Sequence, residues 1–404
     1  QHFDHFFVRA TMAQQLPEPT PLPSPPNDGI TSLQYLPPSS SSSSSSLLVS
    51  TSWDGALRIH DTIAKSHVVT QTMDSGPLLS MVIGSSPGSS GGESNSNGNN
   101  TKAVIYTGGS EGSIKQFDIA TSTVSLIGRH SPDIDKNDLL TGKQKAGVSC
   151  LSSVDSNLIA SAGWDKKFYV WDVRCSSQQQ QQSNKGNSSS AAVVALDLPG
   201  KAFSMDVSLD GTKVVVATSG RRNCFFDLRQ PKQLEKESND NNEDESMAKL
   251  LMDRESSLKY QTRCVKFFPD GKGIAVGSIE GRVGIEYLDD VGISSGKKKY
   301  AFKCHRVNDT IYPVNTIAFH PVFGTFATGG ADGTVITWDG NNKKKLCSIA
   351  KCPTSIACLA FNHDGTQIAI ASSYTFEEGE RDHPREEIYV RDVLESEVRP
   401  KAKK

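Results

Sequence analysis

The segment TGGADGTVITWD (328–339) decides the fold, because the chain repeats its pattern of small residues, a polar turn and a strand that ends near aspartate. Comparable segments, the last with an expanded turn, lie roughly 50 to 60 residues apart at 50–61, 107–118, 161–172, 217–229, 277–289 and 371–392. Another strand pair precedes most of them, in several cases joined by an Asp-Gly hairpin turn, as at Asp210, Asp270 and Asp364. Seven four-stranded units at a regular period predict an all-β, seven-bladed β-propeller with four antiparallel strands per blade.

Two of the repeats carry the sequence ending that gives one propeller class its name. Trp171-Asp172 and Trp338-Asp339 close their segments, which is typical of WD40 repeats. The Gly-His element of such repeats is mostly missing, and His130 and His305 are the nearest candidates for it. We therefore expect most blades to lack the buried His-to-Asp hydrogen-bond network of a standard repeat.

Composition sets the predicted domain boundaries. Residues 27–396 form the propeller, residues 1–26 a disordered or Pro-rich N-terminal segment, and residues 397–404 a basic C-terminal tail. Within the first segment, Met12 is a candidate natural start after residues 1–11, and Gln14–Leu16 is a candidate for a short strand that closes the ring. Four low-complexity stretches cannot bury enough apolar area to order themselves and are predicted to be surface insertions: 39–46, 85–100, 176–191 and 235–246.

Charge and cysteine content exclude several classes of protein. The 43 basic and 45 acidic residues nearly cancel, which argues against indiscriminate binding to nucleic acid or to an anionic membrane. No apolar run approaches the ~18 residues of a membrane span. The eight cysteines are scattered and form no CxxC pair, so they are expected to be small buried side chains in a reducing compartment, the cytosol or the nucleus.

Sequence signatures of catalysis are missing or misplaced. One G-x-S-x-G match lies in low-complexity sequence, and the other, Gly108–Gly112, falls in a hairpin turn and not in the strand-to-helix elbow that a serine nucleophile needs. The nine histidines show no metal-ligand spacing, and there is no P-loop. The sequence therefore predicts a protein that is not an enzyme and that uses no metal or cofactor.

Two adjacent arginines, Arg221 and Arg222, occupy a predicted hairpin turn. In a propeller, the turns between second and third strands open on the same face as the connections into the first strands, so residues at both places share a surface. That surface would combine Trp53, Trp164, Arg221, Arg222 and Arg282 from the turns with Lys259, Tyr260 and Arg263 from one connection. Trp, Tyr and Arg are frequent interface anchors, and the Arg fork suits carboxylate and phosphate, so we predict a site for an acidic or phosphorylated peptide. The alternative is a solvated charge cluster offset by local glutamates such as Glu280.

A second basic stretch, GKKKYAFKCHR (296–306), alternates so that Tyr300 and Phe302 share one side of a strand and the cations the other. It is interpreted as a strand edge protected by lysines, with a second basic contact surface or a nuclear-import signal as the alternatives.

Several segments resemble a known family. RESSLKYQTRC (254–264), GSIEGRVGIEYLD (277–289), KKKYAFKCHR (297–306) and IYPVNTIAFHP (311–321) are similar to the spindle-checkpoint propeller of the budding-uninhibited-by-benzimidazole group, its third member. The mRNA-export propeller is a close sister. The resemblance covers roughly residues 27–396, is densest from Arg254 onward and thins at the four insertions.

The resemblance implies a non-enzymatic mitotic adaptor located in the nucleus and, in mitosis, at kinetochores. Its implied partners are checkpoint kinase and kinase-like proteins, bound through GLEBS peptides, phosphorylated MELT repeats of a kinetochore scaffold and, indirectly, the anaphase-promoting complex. By matching motif, Trp53 would anchor a peptide and Arg263 and Arg282 would contact phosphate. The alternatives are an mRNA-export propeller that binds a nucleoporin GLEBS peptide and RNA at the nuclear pore, and a generic WD scaffold such as a ubiquitin-ligase receptor.

Overall fold

The computed structural model describes residues 17–38, 46–85, 103–130, 146–174, 192–229, 249–288 and 298–401. In these ranges the chain forms seven four-stranded antiparallel sheets and one two-stranded hairpin. The predicted seven-bladed β-propeller is confirmed. Three of the four predicted insertions, at 85–100, 176–191 and 235–246, lie outside the described residues except for Ser85, as do residues 39–45 of the fourth.

The first strand of the chain, β1 (Thr20–Pro21), belongs to the last blade. Blade 1 consists of β2 (Ile30–Tyr35), β3 (Leu47–Ser52), β4 (Ala56–Asp61) and β5 (Ser66–Thr72). Blade 2 consists of β6 (Leu78–Ser85), β7 (Ala103–Gly109), β8 (Ser113–Asp118) and β9 (Thr123–Arg129). Blade 3 consists of β10 (Cys150–Ser153), β11 (Leu158–Ala162), β12 (Lys167–Asp172) and β13 (Ala192–Asp197).

Blade 4 consists of β14 (Ala202–Val207), β15 (Lys213–Thr218), a 3-10 turn (Ser219–Arg221), β16 (Arg222–Asp227) and β17 (Lys249–Glu255). Blade 5 consists of β18 (Thr262–Phe267), β19 (Gly273–Ser278), β20 (Arg282–Tyr287) and β21 (Tyr300–Lys303), and the hairpin β22 (Arg306–Val307) and β23 (Thr310–Ile311) follows it. Blade 6 consists of β24 (Val314–Phe319), β25 (Phe326–Gly330), β26 (Thr334–Asp339) and β27 (Lys344–Lys351). Blade 7 consists of β28 (Ile356–Phe361), β29 (Gln367–Ser372) and β30 (Glu387–Asp392), completed by β1, and a short helix α1 (Glu395–Val398) ends the fold.

The ring closes through both chain ends. Each first strand packs beside the first strand of the next blade, from β2 around to β28 and back to β2. β1 supplies the outer strand of blade 7, pairing Thr20 with Val390 and Pro21 with Tyr389. Proline lacks an N–H, and it is tolerated here because the strand lies at a sheet edge.

Apolar side chains fill the boundaries between blades. Seven clusters of buried residues each join two adjacent blades, one cluster per boundary. β3 of blade 1 is buried along nearly its whole length, whereas the outer strand β5 alternates between exposed and half-buried residues. The core therefore lies between the blades and fixes their positions around the central channel.

Among the described residues, the His-to-Asp network occurs in blades 3 and 6. In blade 3, His130 bonds Asp165 (3.0 Å) and Ser161 (2.7 Å), and Trp171 donates to the same hydroxyl (2.8 Å). In blade 6, His305 contacts Asp332 (2.8 Å) and Thr328 (2.8 Å), and Trp338 Nε1 donates to Thr328 (2.9 Å). His130 and His305 are thus the two histidines that the sequence indicated.

The observed chain ends differ in detail from the expectation. The closing strand is Thr20–Pro21, and the candidate Gln14–Leu16 lies outside the described residues. Placing the end of the propeller at residue 396 was too early, because Glu397 and Val398 of α1 are buried against the ring. The hairpin β22–β23 has no counterpart in the predicted repeat. No helix within the described ranges is both long and apolar enough to cross a membrane.

Candidate peptide-binding face

One face of the ring carries the turns between second and third strands together with the connections that lead into the first strands. We call it the upper face. At its centre, at the end of the channel, lies a cavity of about 490 Å³, which we call the channel-mouth cavity. It brings together three of the predicted site residues, Trp53, Trp164 and Arg263, although they come from blades 1, 3 and 5.

The same type of contact with a glycine positions both tryptophans. Trp53 directly follows β3, and Trp164 follows β11 after Gly163. The backbone N–H of each tryptophan donates to a glycine carbonyl, of Gly29 (2.8 Å) and Gly147 (2.9 Å). A Cβ on Gly29 would lie 3.2 Å from Trp53 Cδ1, and one on Gly147 would lie 2.7 Å from Trp164 Cε3. Glycine is therefore what allows each indole ring to lie against the connection. Trp53 keeps 43% of its surface exposed, and Trp164 is half-buried.

A β-bulge positions Arg263. In six of the seven blades the pairing of the first strand with the second skips the second residue of the first strand. A bulge re-aims the skipped side chain, and all six skipped residues line the channel-mouth cavity together with Ser149 of blade 3. The six are Thr31, Leu79, Phe203, Arg263, Asn315 and Ala357.

Arg263 is the one charged member of this ring of seven residues. Its Nε and Nη2 donate to Asn315 Oδ1 at 3.3 and 3.1 Å, and among the described residues no carboxylate forms an ion pair with it. The side chain of Arg263 is exposed at the channel mouth, but the surrounding blades exclude part of its water. This desolvation lowers the pKa of Arg263 below its usual value, while the charges of Cys264 and Glu377 act in the opposite direction. An anion at the channel mouth would stabilise the charged guanidinium.

The other predicted arginines form ion pairs with carboxylates. Arg221 lies at the turn with a φ of 62°, pairs with Glu255 and donates to the carbonyl of Leu258 (3.0 Å). Arg222 pairs with Asp253 (2.7 Å), which also lies on β17. The two cations at the tight turn thus hold the outer strand of their own blade.

Arg282 is also paired, at 3.3 Å, with Glu280. The other oxygen of Glu280 accepts the backbone N–H of Lys259 (3.2 Å). Lys259 is exposed, as is Tyr260 with 56% of its surface accessible. Lys259 and Tyr260 lie on the upper face, as the channel-mouth cavity does. The cavity is lined neither by these two residues nor by the three arginines that pair with carboxylates.

Sequence reasoning missed several exposed apolar residues of this face, among them Phe203, Ile279 and Phe376. Phe203 is 41% exposed and Ile279 39% exposed, and both line the channel-mouth cavity. Phe376, 64% exposed, stands in the long blade-7 loop at a φ of 57°, a conformation that costs a bulky residue energy. Aligning the repeats would have found Ile279, because it occupies the position of Trp53 and Trp164 and donates in the same way, to the carbonyl of Gln261 (3.1 Å).

The outer strand β21 (Tyr300–Lys303) lies within the basic stretch at 296–306. Tyr300 and Phe302 are half-buried and Lys303 is exposed, as the alternation predicted, and Lys297 lies outside the described residues. Arg306 does not lie with the exposed cations of this stretch. It is half-buried, and its Nη2 donates to the carbonyl of Glu280 (2.9 Å). Within the described parts of the chain no group of three or more His, Cys, Asp or Glu residues could hold a metal ion.

Comparison with known proteins identifies the family. The WD domain, G-beta repeat family matches residues 21–61, 136–172 and 296–339; the second match contains Trp171 and the third contains His305. The mitotic checkpoint protein bub3 of Dictyostelium discoideum is 37% identical over 379 residues, covering 93% of this chain and 94% of that protein. Mitotic checkpoint protein BUB3.1 of Arabidopsis thaliana is 38% identical over 387 residues, 95% of each chain.

The chain belongs to the Bub3 family of WD40 propellers. Its architecture and family make it a non-enzymatic scaffold protein, as the sequence predicted. The Bub3 family is related to a second group of propellers: the poly(A)+ RNA export protein of Schizosaccharomyces pombe is 28% identical over 393 residues, 94% of this chain and 92% of that protein.

Proposed function

We propose that this chain is a mitotic spindle-checkpoint adaptor that brings checkpoint proteins to unattached kinetochores. It binds GLEBS-type peptides of checkpoint kinase and kinase-like partners across its upper face, and it reads phosphorylated MELT repeats of a kinetochore scaffold. Relatives named mitotic checkpoint proteins, which it matches over nearly the whole chain, support the checkpoint role. Nuclear and kinetochore localisation, and an indirect action on the anaphase-promoting complex, belong to the same proposal.

The observation that carries the proposal is the channel-mouth cavity. It combines two accessible tryptophans with an arginine whose hydrogen-bond partner, within the described ranges, is an amide and not a carboxylate. Aromatic rings and arginine are the residue types that anchor protein interfaces, and a guanidinium can bind phosphate through two parallel hydrogen bonds. Arg282 contributes to phosphate binding only by exchanging its contact with Glu280 for one with the ligand.

Calorimetric titration of the full chain with a phosphorylated MELT peptide and with its unphosphorylated twin tests the proposal. The phosphorylated peptide should bind at least about tenfold more tightly, as expected for a charge-assisted contact to Arg263. Equal affinities would contradict the phosphate-reading role. A GLEBS peptide titrated separately tests the adaptor role.

The second candidate function is mRNA export, with a nucleoporin GLEBS peptide and RNA as ligands. Its support is the full-length match to a protein named for poly(A)+ RNA export. Single-stranded RNA distinguishes the two candidates. RNA binding whose affinity falls steeply with salt, together with no binding of the MELT phosphopeptide, would reverse our ranking.

A further inference from the structure

A second cavity, of about 650 Å³, lies on the outer side of the upper face between blades 7 and 1. We call it the rim cavity. Its walls are the segment Ser24–Asp28, Arg58 and Thr70 of blade 1, and the blade-7 loop residues His383, Arg385 and Glu386. It shares no lining residue with the channel-mouth cavity. The two are neighbours, because Trp53 lines one and the next residue, Asp54, pairs with Arg58 of the other (2.7 Å).

Glu386 is the residue of the rim cavity that lacks a full set of partners. Only 6% of its surface is exposed, and its Oε2 has no hydrogen-bond partner among the described residues. The His383 ring lies beside the carboxylate, with Nδ1 3.6 Å from Oε1. A buried carboxylate oxygen without a donor is costly, which is why such atoms mark places where a ligand supplies the missing hydrogen.

The two arginines of the rim cavity do not supply that donor. Arg58 is held by Asp54, and Arg385 pairs with Glu387 (2.9 Å). Asp28 adds a second carboxylate to the cavity, with Oδ1 accepting the N–H of Gly29 (2.7 Å). Burial raises the pKa of Glu386 above its ordinary value and the charge of Asp28 adds to this. Hydrogen bonds from the Ser373 hydroxyl and the Tyr374 backbone, together with His383, lower it without cancelling the rise.

These contacts decide the chemistry of the occupant. A group with several hydrogen-bond donors and a positive charge would satisfy Oε2 and offset the mutual repulsion of the two carboxylates. Pro25 and Pro26 form an apolar part of the wall, against which the methylene groups of a long side chain can lie. Lysine and arginine have both properties.

We propose that the rim cavity is a binding subsite for a lysine or arginine side chain of a partner protein, with Glu386 as the acceptor of its charged group and Asp28 as the second carboxylate. The subsite does not depend on the proposed checkpoint function, since it uses neither the tryptophans nor Arg263.

Saturation-transfer NMR on the full chain tests the subsite with n-butylammonium as the probe for a lysine side chain and 1-butanol as its neutral twin. n-Butylammonium should receive saturation and 1-butanol should not. Glu386→Gln should weaken apparent n-butylammonium binding about tenfold, because it removes a charge-assisted hydrogen bond. The matched control is Glu380→Gln, which removes the same charge from an exposed position in the same loop and should leave binding unchanged.

Three outcomes would overturn the subsite: equal binding of 1-butanol, unchanged binding by Glu386→Gln, or equal losses in Glu386→Gln and Glu380→Gln. Glu386→Gln should also raise the melting temperature of the ligand-free protein at pH 8, because a carboxyl whose folded pKa is raised destabilises the fold above its ordinary pKa. Asp28→Asn keeps the acceptor for the N–H of Gly29 and should also weaken n-butylammonium binding. If Glu386→Gln does not fold, unchanged binding by Asp28→Asn would overturn the subsite.

Discussion

Arg263 provides the sharpest test of phosphate binding at a single residue. Arg263→Ala should weaken binding of a phosphorylated MELT peptide by about 2 kcal/mol, which is typical of losing a hydrogen bond to a charged group. The melting temperature of the Arg263→Ala variant should stay close to that of the wild type, because the Arg263 side chain is exposed and its described hydrogen bonds go to one amide, that of Asn315. Calorimetry measures the binding and thermal denaturation the stability.

Two other arginines serve as controls for this prediction. Arg229→Ala removes an arginine from the opposite face, where it pairs with Asp227, and should not change the affinity. Arg282→Ala should cost less than Arg263→Ala, because its contact with Glu280 must be exchanged for the phosphate. A loss with Arg282→Ala that exceeds the loss with Arg263→Ala would place the phosphate away from the channel mouth.

Trp53 is the residue that we propose as the main anchor of a bound peptide. Trp53→Ala should weaken binding of a GLEBS peptide by about 2 kcal/mol or more, as expected for an aromatic anchor. Leu209→Ala is the matched control, since Leu209 is 86% exposed in a turn on the opposite face. Fluorescence anisotropy of a labelled peptide measures both, and equal effects of the two variants would contradict anchoring at Trp53.

Among the structural elements, the second-to-third-strand turns of blades 3 and 6 depend most on buried polar contacts. His130→Ala and His305→Ala should each lower the free energy of unfolding by about 2–4 kcal/mol, because each removes one hydrogen-bond partner from a buried aspartate and one from a buried hydroxyl. His67→Ala, on the outer strand β5, should cost under about 1 kcal/mol. Urea denaturation measures all three, and equal losses would show that the networks do not stabilise these blades.

Asp332 makes the blade-6 network sensitive to acid. Burial alone would raise its pKa, but hydrogen bonds from His305 and Thr334 and the charge of His305 outweigh this and hold the pKa below the ordinary 3.8. A depressed acid pKa stabilises the fold above the ordinary value, and this contribution is lost as the pH falls through and below 3.8. The difference in unfolding free energy between wild type and Asp332→Asn should therefore be full at pH 7 and shrink from about pH 5 towards pH 3. A difference that stays constant over this range would show that Asp332 does not titrate in the folded protein.

The repeats predicted the elements of this fold well, because small residues, polar turns and Asp-Gly hairpins recur in each blade. They also predicted that Trp53, Trp164 and Arg263 share a face, since that follows from strand order alone. They could not predict the bulges, because nothing in the residues around Thr31 or Phe203 marks them. Nor could they pair Arg222 with Asp253, which lies 31 residues away and meets it only through the register of β16 and β17.

Hydrogen bonds and an ion pair join the two ends of the described chain and hold the ring closed. Arg391 on β30 donates to both oxygens of Glu397 on α1, at 2.8 and 2.7 Å, and its Nε donates to the carbonyl of Pro17 (2.8 Å). Both side chains of this ion pair are almost fully buried. The helix also binds blade 6, because Thr337 donates to the carbonyl of Glu397 and Thr325 to that of Val398, both at 2.7 Å. One ion pair thus connects the N-terminal segment, blade 7 and the helix that covers blade 6.

Breaking this ion pair should destabilise the molecule as a whole. Glu397→Ala should lower the free energy of unfolding by about 3–5 kcal/mol, because it leaves the buried Arg391 guanidinium without a counter-charge. The double variant Arg391→Met with Glu397→Leu should recover most of that loss, since replacing both charges by apolar side chains removes the uncompensated charge. Arg399→Ala breaks an exposed pair with Glu395 on the same helix and should cost under about 1 kcal/mol. If urea denaturation gives similar losses for Glu397→Ala and Arg399→Ala, the ring does not depend on its C-terminal helix for closure.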